Sequence, residues 1–298
     1  MTRAAQAPVS STGPDHAPAD AGSGLPDSDR SPRPRWAVVD VLRGVAIVAV
    51  VAFHTTWDLG DLGLISWRIS AHWSGKVIAH AIAGTFLVLV GVSLVLAHRR
   101  GIRWAAFWRR ELKLVALALL ITGVSLVYQP REVVTFGILH SIAVASVLVL
   151  PSVRAHRAVP WALAVVALAL PWLVHLPGRS PWVSWTGLAD GTQPALDWQP
   201  VLPWLALAFA GVGMMRWLLD AAGNGHEEVA TVAGGSGLSG VSGEEVATEA
   251  GWSRMRAWRP ASAPVRSLAA AGRHTLAIYL VHQPVVYGAL WLINEFRT

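Results

Sequence analysis

Four ionisable side chains lie along one stretch that is otherwise apolar: Asp40, Arg43, His54 and Asp58, in the run Asp40-Val41-Leu42-Arg43-Gly44 through Phe53-His54-Thr55-Thr56-Trp57-Asp58. On a helix that turns about 100° and rises about 1.5 Å per residue, Arg43 and His54 differ by only ~20° in azimuth and lie ~16 Å apart along the axis. They form one polar stripe. Asp40 precedes Arg43 by three residues and Asp58 follows His54 by four, both contact spacings on a helix, so each basic group has a carboxylate in reach. A histidine oriented by a carboxylate is a general base, or a nucleophile for group transfer. Arg43 could equally extend its stem to the nearer water layer while paired with Asp40. His54 could bond a neighbouring helix, although ionisable groups inside an apolar span by default mark a functional interior. His54 and Asp58 make a metal pair with no further placed ligand, so no metal is expected.

Further polar groups fall on other apolar stretches: His80, Thr85, Ser93, His140, His274 and His282. Interhelical bonding is the plainer reading of any one of these histidines alone. No Asp or Glu is expected deep in the later apolar stretches, so a proton-coupled transporter would lack its carboxylate relay. Arg99 to Lys113 combines Ile102, Trp104, Phe107, Trp108 and Leu112 with six basic residues, which fits an interfacial amphipathic helix. Its basic face would serve topology and anionic lipid, or bind the phosphates of a soluble donor.

The elements that must position these groups follow from composition. Of 298 residues 53% are hydrophobic and only 14% charged, with a mean hydropathy of +0.46. Soluble domains carry roughly 25% charged residues, so the expected fold is all-α, a polytopic bundle of membrane helices. Seven stretches approach the ~20 residues that cross a bilayer: 37–57, 77–97, 112–128, 133–150, 159–175, 201–219 and 274–293. Residues 1–35, rich in Ala, Pro, Ser and Gly, read as a disordered tail. The domain proper is 36–294, interrupted at 221–262 by a segment that reads as a flexible cytoplasmic loop.

With the N-terminus cytoplasmic and the C-terminus outside, 18 of the 24 Lys and Arg fall on the inner side, as the positive-inside bias requires. That asymmetry accounts for the +6 charge, and nucleic acid is not expected as a partner. The 16 Trp fit interfacial belts; Trp182 and Trp185 could alternatively wall a sugar. The absence of cysteine excludes disulfides, thiolate sites and a cysteine nucleophile.

Five blocks in order carry a resemblance. These are Asp40-Val41-Leu42-Arg43-Gly44 to His54, with Trp57-Asp58-Leu59; Ala83-Gly84-Thr85-Phe86-Leu87 to Gly91-Val92-Ser93-Leu94; and Phe136-Gly137-Ile138-Leu139-His140. Pro200-Val201-Leu202-Pro203-Trp204 and Gly272-Arg273-His274-Thr275 through Tyr279-Leu280-Val281-His282-Gln283-Pro284 complete them. Together they resemble the catalytic domain of the heparan-alpha-glucosaminide N-acetyltransferase family in its small bacterial form, within the transmembrane acyltransferases.

The resemblance implies an enzyme of the cell (inner or plasma) membrane, seated among membrane lipids. It would take acetyl-CoA from the cytosol and acetylate, at nitrogen or oxygen, an extracytoplasmic glycan or glycolipid acceptor. By the same resemblance His54 is the reactive histidine, oriented by Asp58, and Arg43 supports the donor or the polar stripe. Eukaryotic members lack a histidine at the His54 position and have their candidate in the following extracytoplasmic segment, which makes His72 the runner-up. Arg103, Arg109, Arg110 and Lys113 become candidates for the CoA phosphates, and His140 and His282 for the acceptor. The alternative is a non-catalytic membrane protein that binds or transports a lipid-linked glycan or small solute along the same stripe.

Overall fold

The computed structural model describes residues 36–128, 130–177, 181–190, 197–234 and 257–296, with side chains undescribed at 70, 181, 182 and 222–234. Among the described residues the secondary structure is helical, apart from one isolated bridge between Leu176 and Ala189. The helices are α1 (Ala37–Asp61), α2 (Trp73–His98), α3 (Trp104–Tyr128), α4 (Ile138–Val149), α5 (Val159–Leu173), a single turn α6 (Pro181–Ser184), α7 (Leu205–Gly234), α8 (Ala263–Arg273) and α9 (Thr275–Glu295).

Each of the seven apolar stretches contains a helix, but the lengths differ from expectation. α1, α2, α3 and α9 are long and apolar enough to cross a membrane. α4 is short because its chain tightens into a 3-10 turn, Leu150–Arg154, at Pro151. α5 has 15 residues and ends two positions after Pro171, where Val174 is already extended. Pro removes an N–H from the ladder and clashes with the turn before it. α7 continues to Gly234, inside the segment that reads as a loop in sequence; residues 235–256 and the tail 1–35 lie outside the described residues.

The basic segment also differs. It is not a separate interfacial helix: Trp104 to Lys113 form the first turns of α3, which runs unbroken to Tyr128. The reason is local. No Pro or Gly interrupts the chain from Trp104 to Thr122, so the helix that opens after Gly101 has nothing to stop it. The turn before it is closed by buried His98, whose Nδ1 accepts the Arg103 N–H at 3.1 Å.

α2 is central, packed chiefly on α7 and also on α1 and α4, while α5 covers α7 and α3 covers α4. The buried core runs through Leu87, Val95, Ala143, Val149, Ala208 and Val212. α1 is flanked by α8 along its first half and by α9 along its second. Two glycine contacts set these approaches. A Cβ at Gly44 would overlap the Leu268 carbonyl of α8, and one at Gly91 would overlap the Ala208 carbonyl of α7. Small residues let helix backbones close in, as membrane helices require in the absence of a strong hydrophobic drive between them.

Candidate active site

The stripe on α1 exists, and its two ends meet different helices: Arg43 reaches α2, and His54 and Asp58 both face α9. Arg43 pairs with Asp40 at 3.5 Å, as the three-residue spacing indicates, and also donates to the Ser93 hydroxyl of α2. The guanidinium is therefore engaged inside the bundle rather than reaching out along the helix. Ser93 in turn donates to the Leu89 carbonyl, a back-bond common for Ser in an apolar helix.

At the other end of the stripe the expected partner is replaced. Asp58, only 2% exposed, is held by Gln283 of α9, whose Nε2 donates to both carboxylate oxygens at 3.0 and 3.2 Å. His54 instead faces His282 of α9, ring centroid to ring centroid 5.1 Å at 61°. The four-residue spacing places Asp58 and His54 on one face, but the neighbouring helix offers the carboxylate an amide nitrogen that lies within hydrogen-bond distance of both its oxygens. A buried carboxylate takes the arrangement that satisfies it best.

His282 has a defined hydrogen-bonding state. Its Nδ1 lies 2.7 Å from the Tyr279 carbonyl, and a carbonyl only accepts, so Nδ1 carries the proton and Nε2 presents a lone pair. Among the described residues that buried Nε2 has no partner, and neither does the buried Gln283 Oε1. Pro284 follows immediately within α9 and has no N–H to give the carbonyl four residues back, so one helical hydrogen bond is missing next to these two side chains.

A second seam joins this one. The Tyr279 hydroxyl donates to Asp197 Oδ2 at 3.2 Å, and the Ile138 N–H at the start of α4 donates to the same oxygen at 3.0 Å. Burial pushes the Asp197 carboxyl above its ordinary range, and these two bonds pull it partly back. Asp197 ties the loop before α7 to α4 and α9. Nothing in the local sequence distinguishes it from a solvated loop aspartate. Glu111 of α3 is a second carboxylate that the sequence did not single out: it is 3% exposed and 3.4 Å from Arg110, and like Asp197 it lies just before an apolar stretch rather than deep within one.

The remaining candidates separate. His140 accepts the Gly137 N–H at 3.2 Å and its Nε2 lies 3.4 Å from the Thr122 hydroxyl, which itself donates to the Val134 carbonyl. It therefore closes the N-terminal turn of α4. His72 is exposed just before α2, 6.0 Å from the Trp67 ring. His80 stacks on Trp204 at 4.7 Å. Arg103, Arg109 and Lys113 are exposed near the N-terminal end of α3, whereas Arg110 also donates to Ser146 at 3.2 Å. Trp185, half-buried, packs on Phe136 with ring centroids 5.6 Å apart. The Trp182 side chain lies outside the described residues.

The family model described as heparan-alpha-glucosaminide N-acetyltransferase, catalytic, matches residues 35–237 and 234–284. The chain belongs to this family. No match was found among curated proteins or among solved structures. Membership in the heparan-alpha-glucosaminide N-acetyltransferase family implies an acetyltransferase, and the long apolar helices make it a membrane protein. Within the matched region fall the Asp40, Arg43 and Ser93 group, the His54 and His282 pair, the Asp58 and Gln283 clamp, and Asp197.

Proposed function

We propose that this protein moves an acetyl group from cytosolic acetyl-CoA to an amino or hydroxyl group of an extracytoplasmic glycan or glycolipid, with His54 as the reactive side chain. The observation that carries this reading is the meeting of two imidazoles, half-buried His54 and buried His282, on facing helices of an acetyltransferase-family chain. Acyl transfer from a thioester needs a nucleophile or base held against the carbonyl, and most of the remaining acceleration comes from positioning the two substrates.

The donor would approach from the end of the bundle where α3 begins. A helix N-terminus concentrates partial positive charge and free N–H groups, and here exposed Arg103 adjoins it while exposed Arg109 and Lys113 follow within the first three turns of α3. The phosphates of CoA suit that end. Arg43, fixed by Asp40 and Ser93, lies on the stripe between the basic end and His54. The seven helices of the sequence reading, α4 and α5 included, would then surround a path across the membrane, with the N-terminus on the cytoplasmic side.

The test is made in cells. Mass spectrometry of envelope glycans from a deletion strain should show loss of an acetyl mark that the intact gene restores and a His54→Ala gene does not. If His54→Ala restores the mark fully and His72→Ala does not, the reactive group is His72 in the segment before α2.

A further inference from the structure

The site holds more basic capacity than one histidine needs. His282 is 8% exposed, its Nδ1–H is committed to the Tyr279 carbonyl, and its Nε2 lone pair has no donor among the described residues. The next residue repeats the pattern. Gln283 turns its Nε2 to the Asp58 carboxylate, which leaves Oε1 as a second buried acceptor without a donor. A lone buried acceptor costs stability, and two on consecutive residues, both on side chains that touch α1 beside the stripe, are a surface matched to a group rich in N–H or O–H.

We infer that His282 is the proton acceptor for the incoming acceptor group, and that the two histidines divide the reaction: His54 takes the acetyl group and His282 takes the proton. This rests on the reading of His54 as the reactive side chain. In the first step a ring nitrogen of His54 attacks the thioester carbon, the carbon–sulfur bond breaks, and CoA leaves as the thiolate. In the second, the lone pair of the acceptor oxygen or nitrogen forms a bond to that carbon. The bond from the carbon to His54 breaks with its electron pair returning to the ring, and the acceptor proton passes to His282 Nε2. His282 then releases the proton to water, which balances the one taken up by the CoA thiolate. The unpaired Gln283 Oε1 holds the acceptor by a further N–H or O–H, which makes the acceptor a polyhydroxyl or amino compound rather than an apolar alcohol.

Purified protein in detergent, loaded with labelled acetyl-CoA, is offered glucosamine or hydroxylamine, and the ratio of N-acetylglucosamine to acetohydroxamate is read. Hydroxylamine is a stronger nucleophile and depends less on a base. His282→Gln, which keeps a polar group near the Nε2 position, and His282→Asn, which keeps one near Nδ1, should each lower that ratio by about 100-fold or more, the size of a general-base contribution. An unchanged ratio in either variant overturns the proposal. Failure of both variants to take up label assigns His282 to loading or to folding, and also overturns it. If the wild-type protein transfers acetyl to neither compound, to itself nor to water, the acetyltransferase reading itself fails, a result distinct from any in the variants.

Discussion

At the scale of single residues, the clamp between Gln283 and Asp58 is the most exposed to test. Gln283→Ala leaves a buried carboxylate without the amide that donates to it, and such a loss costs on the order of 1–3 kcal/mol. In a detergent-solubilised sample this should appear as a lowered Tm. A double-mutant cycle with Asp58→Ala should return a coupling of 0.5–3 kcal/mol, roughly the range for groups in one network. A coupling near zero would mean that the two side chains do not depend on each other. The residue types of the site were legible in sequence: Arg43 with Asp40 forms as spaced, and His54 lies on the stripe the helix period dictates. The partners of Asp58 and His54 were not. They come from α9, more than 200 residues later in the chain, and no local spacing encodes which of two carboxylate partners a distant helix will supply.

At the scale of elements, two joints hold the site in place. Where α8 crosses α1, Gly44 meets the Leu268 carbonyl and Gly272 meets that of Asp40. Gly44→Val must push these helices apart, and overpacking of this kind costs about 1–3 kcal/mol. Because Arg43 is adjacent, loss of thermal stability should be accompanied by loss of transfer. The second joint is Asp197, which binds the start of α4 and Tyr279 of α9. Its carboxyl is raised by burial, so the folded state binds its proton more tightly than the unfolded chain. That contribution to stability is complete below the ordinary carboxyl value of 3.8 and is lost as pH rises through the raised, folded-state value. Asp197→Asn keeps an acceptor for both donors and does not titrate, so Tm measured across acidic to neutral pH should fall less steeply than in the wild type. An unchanged slope would place the titration elsewhere. Helix positions could be read from apolar runs, but Asp197 could not be found that way, since its partners come from α4 and α9, both distant in sequence.

At the scale of the whole molecule, the charge asymmetry and the stripe together define a direction, from a basic end to a histidine end. Replacing Arg103, Arg109 and Lys113 by alanine together should raise KM for acetyl-CoA by about tenfold or more while leaving kcat within a fewfold, because exposed charges contribute mainly to binding an anionic donor. A drop in kcat with KM unchanged would show that these residues act on the chemical step instead. The low charge content showed in sequence that the chain belongs in a membrane. It could not show that α4 and α5 are shortened by prolines acting in particular turns, or that the basic segment would be continuous with α3. The central claim is that His54 is the group through which acetyl passes. The most direct measurement offers radiolabelled acetyl-CoA and glucosamine to purified wild-type and His54→Ala protein of matched Tm. The account predicts transfer by the wild type and a loss of about 1000-fold or more in the variant, the scale of removing a reacting group. Transfer by His54→Ala at the wild-type rate would contradict it.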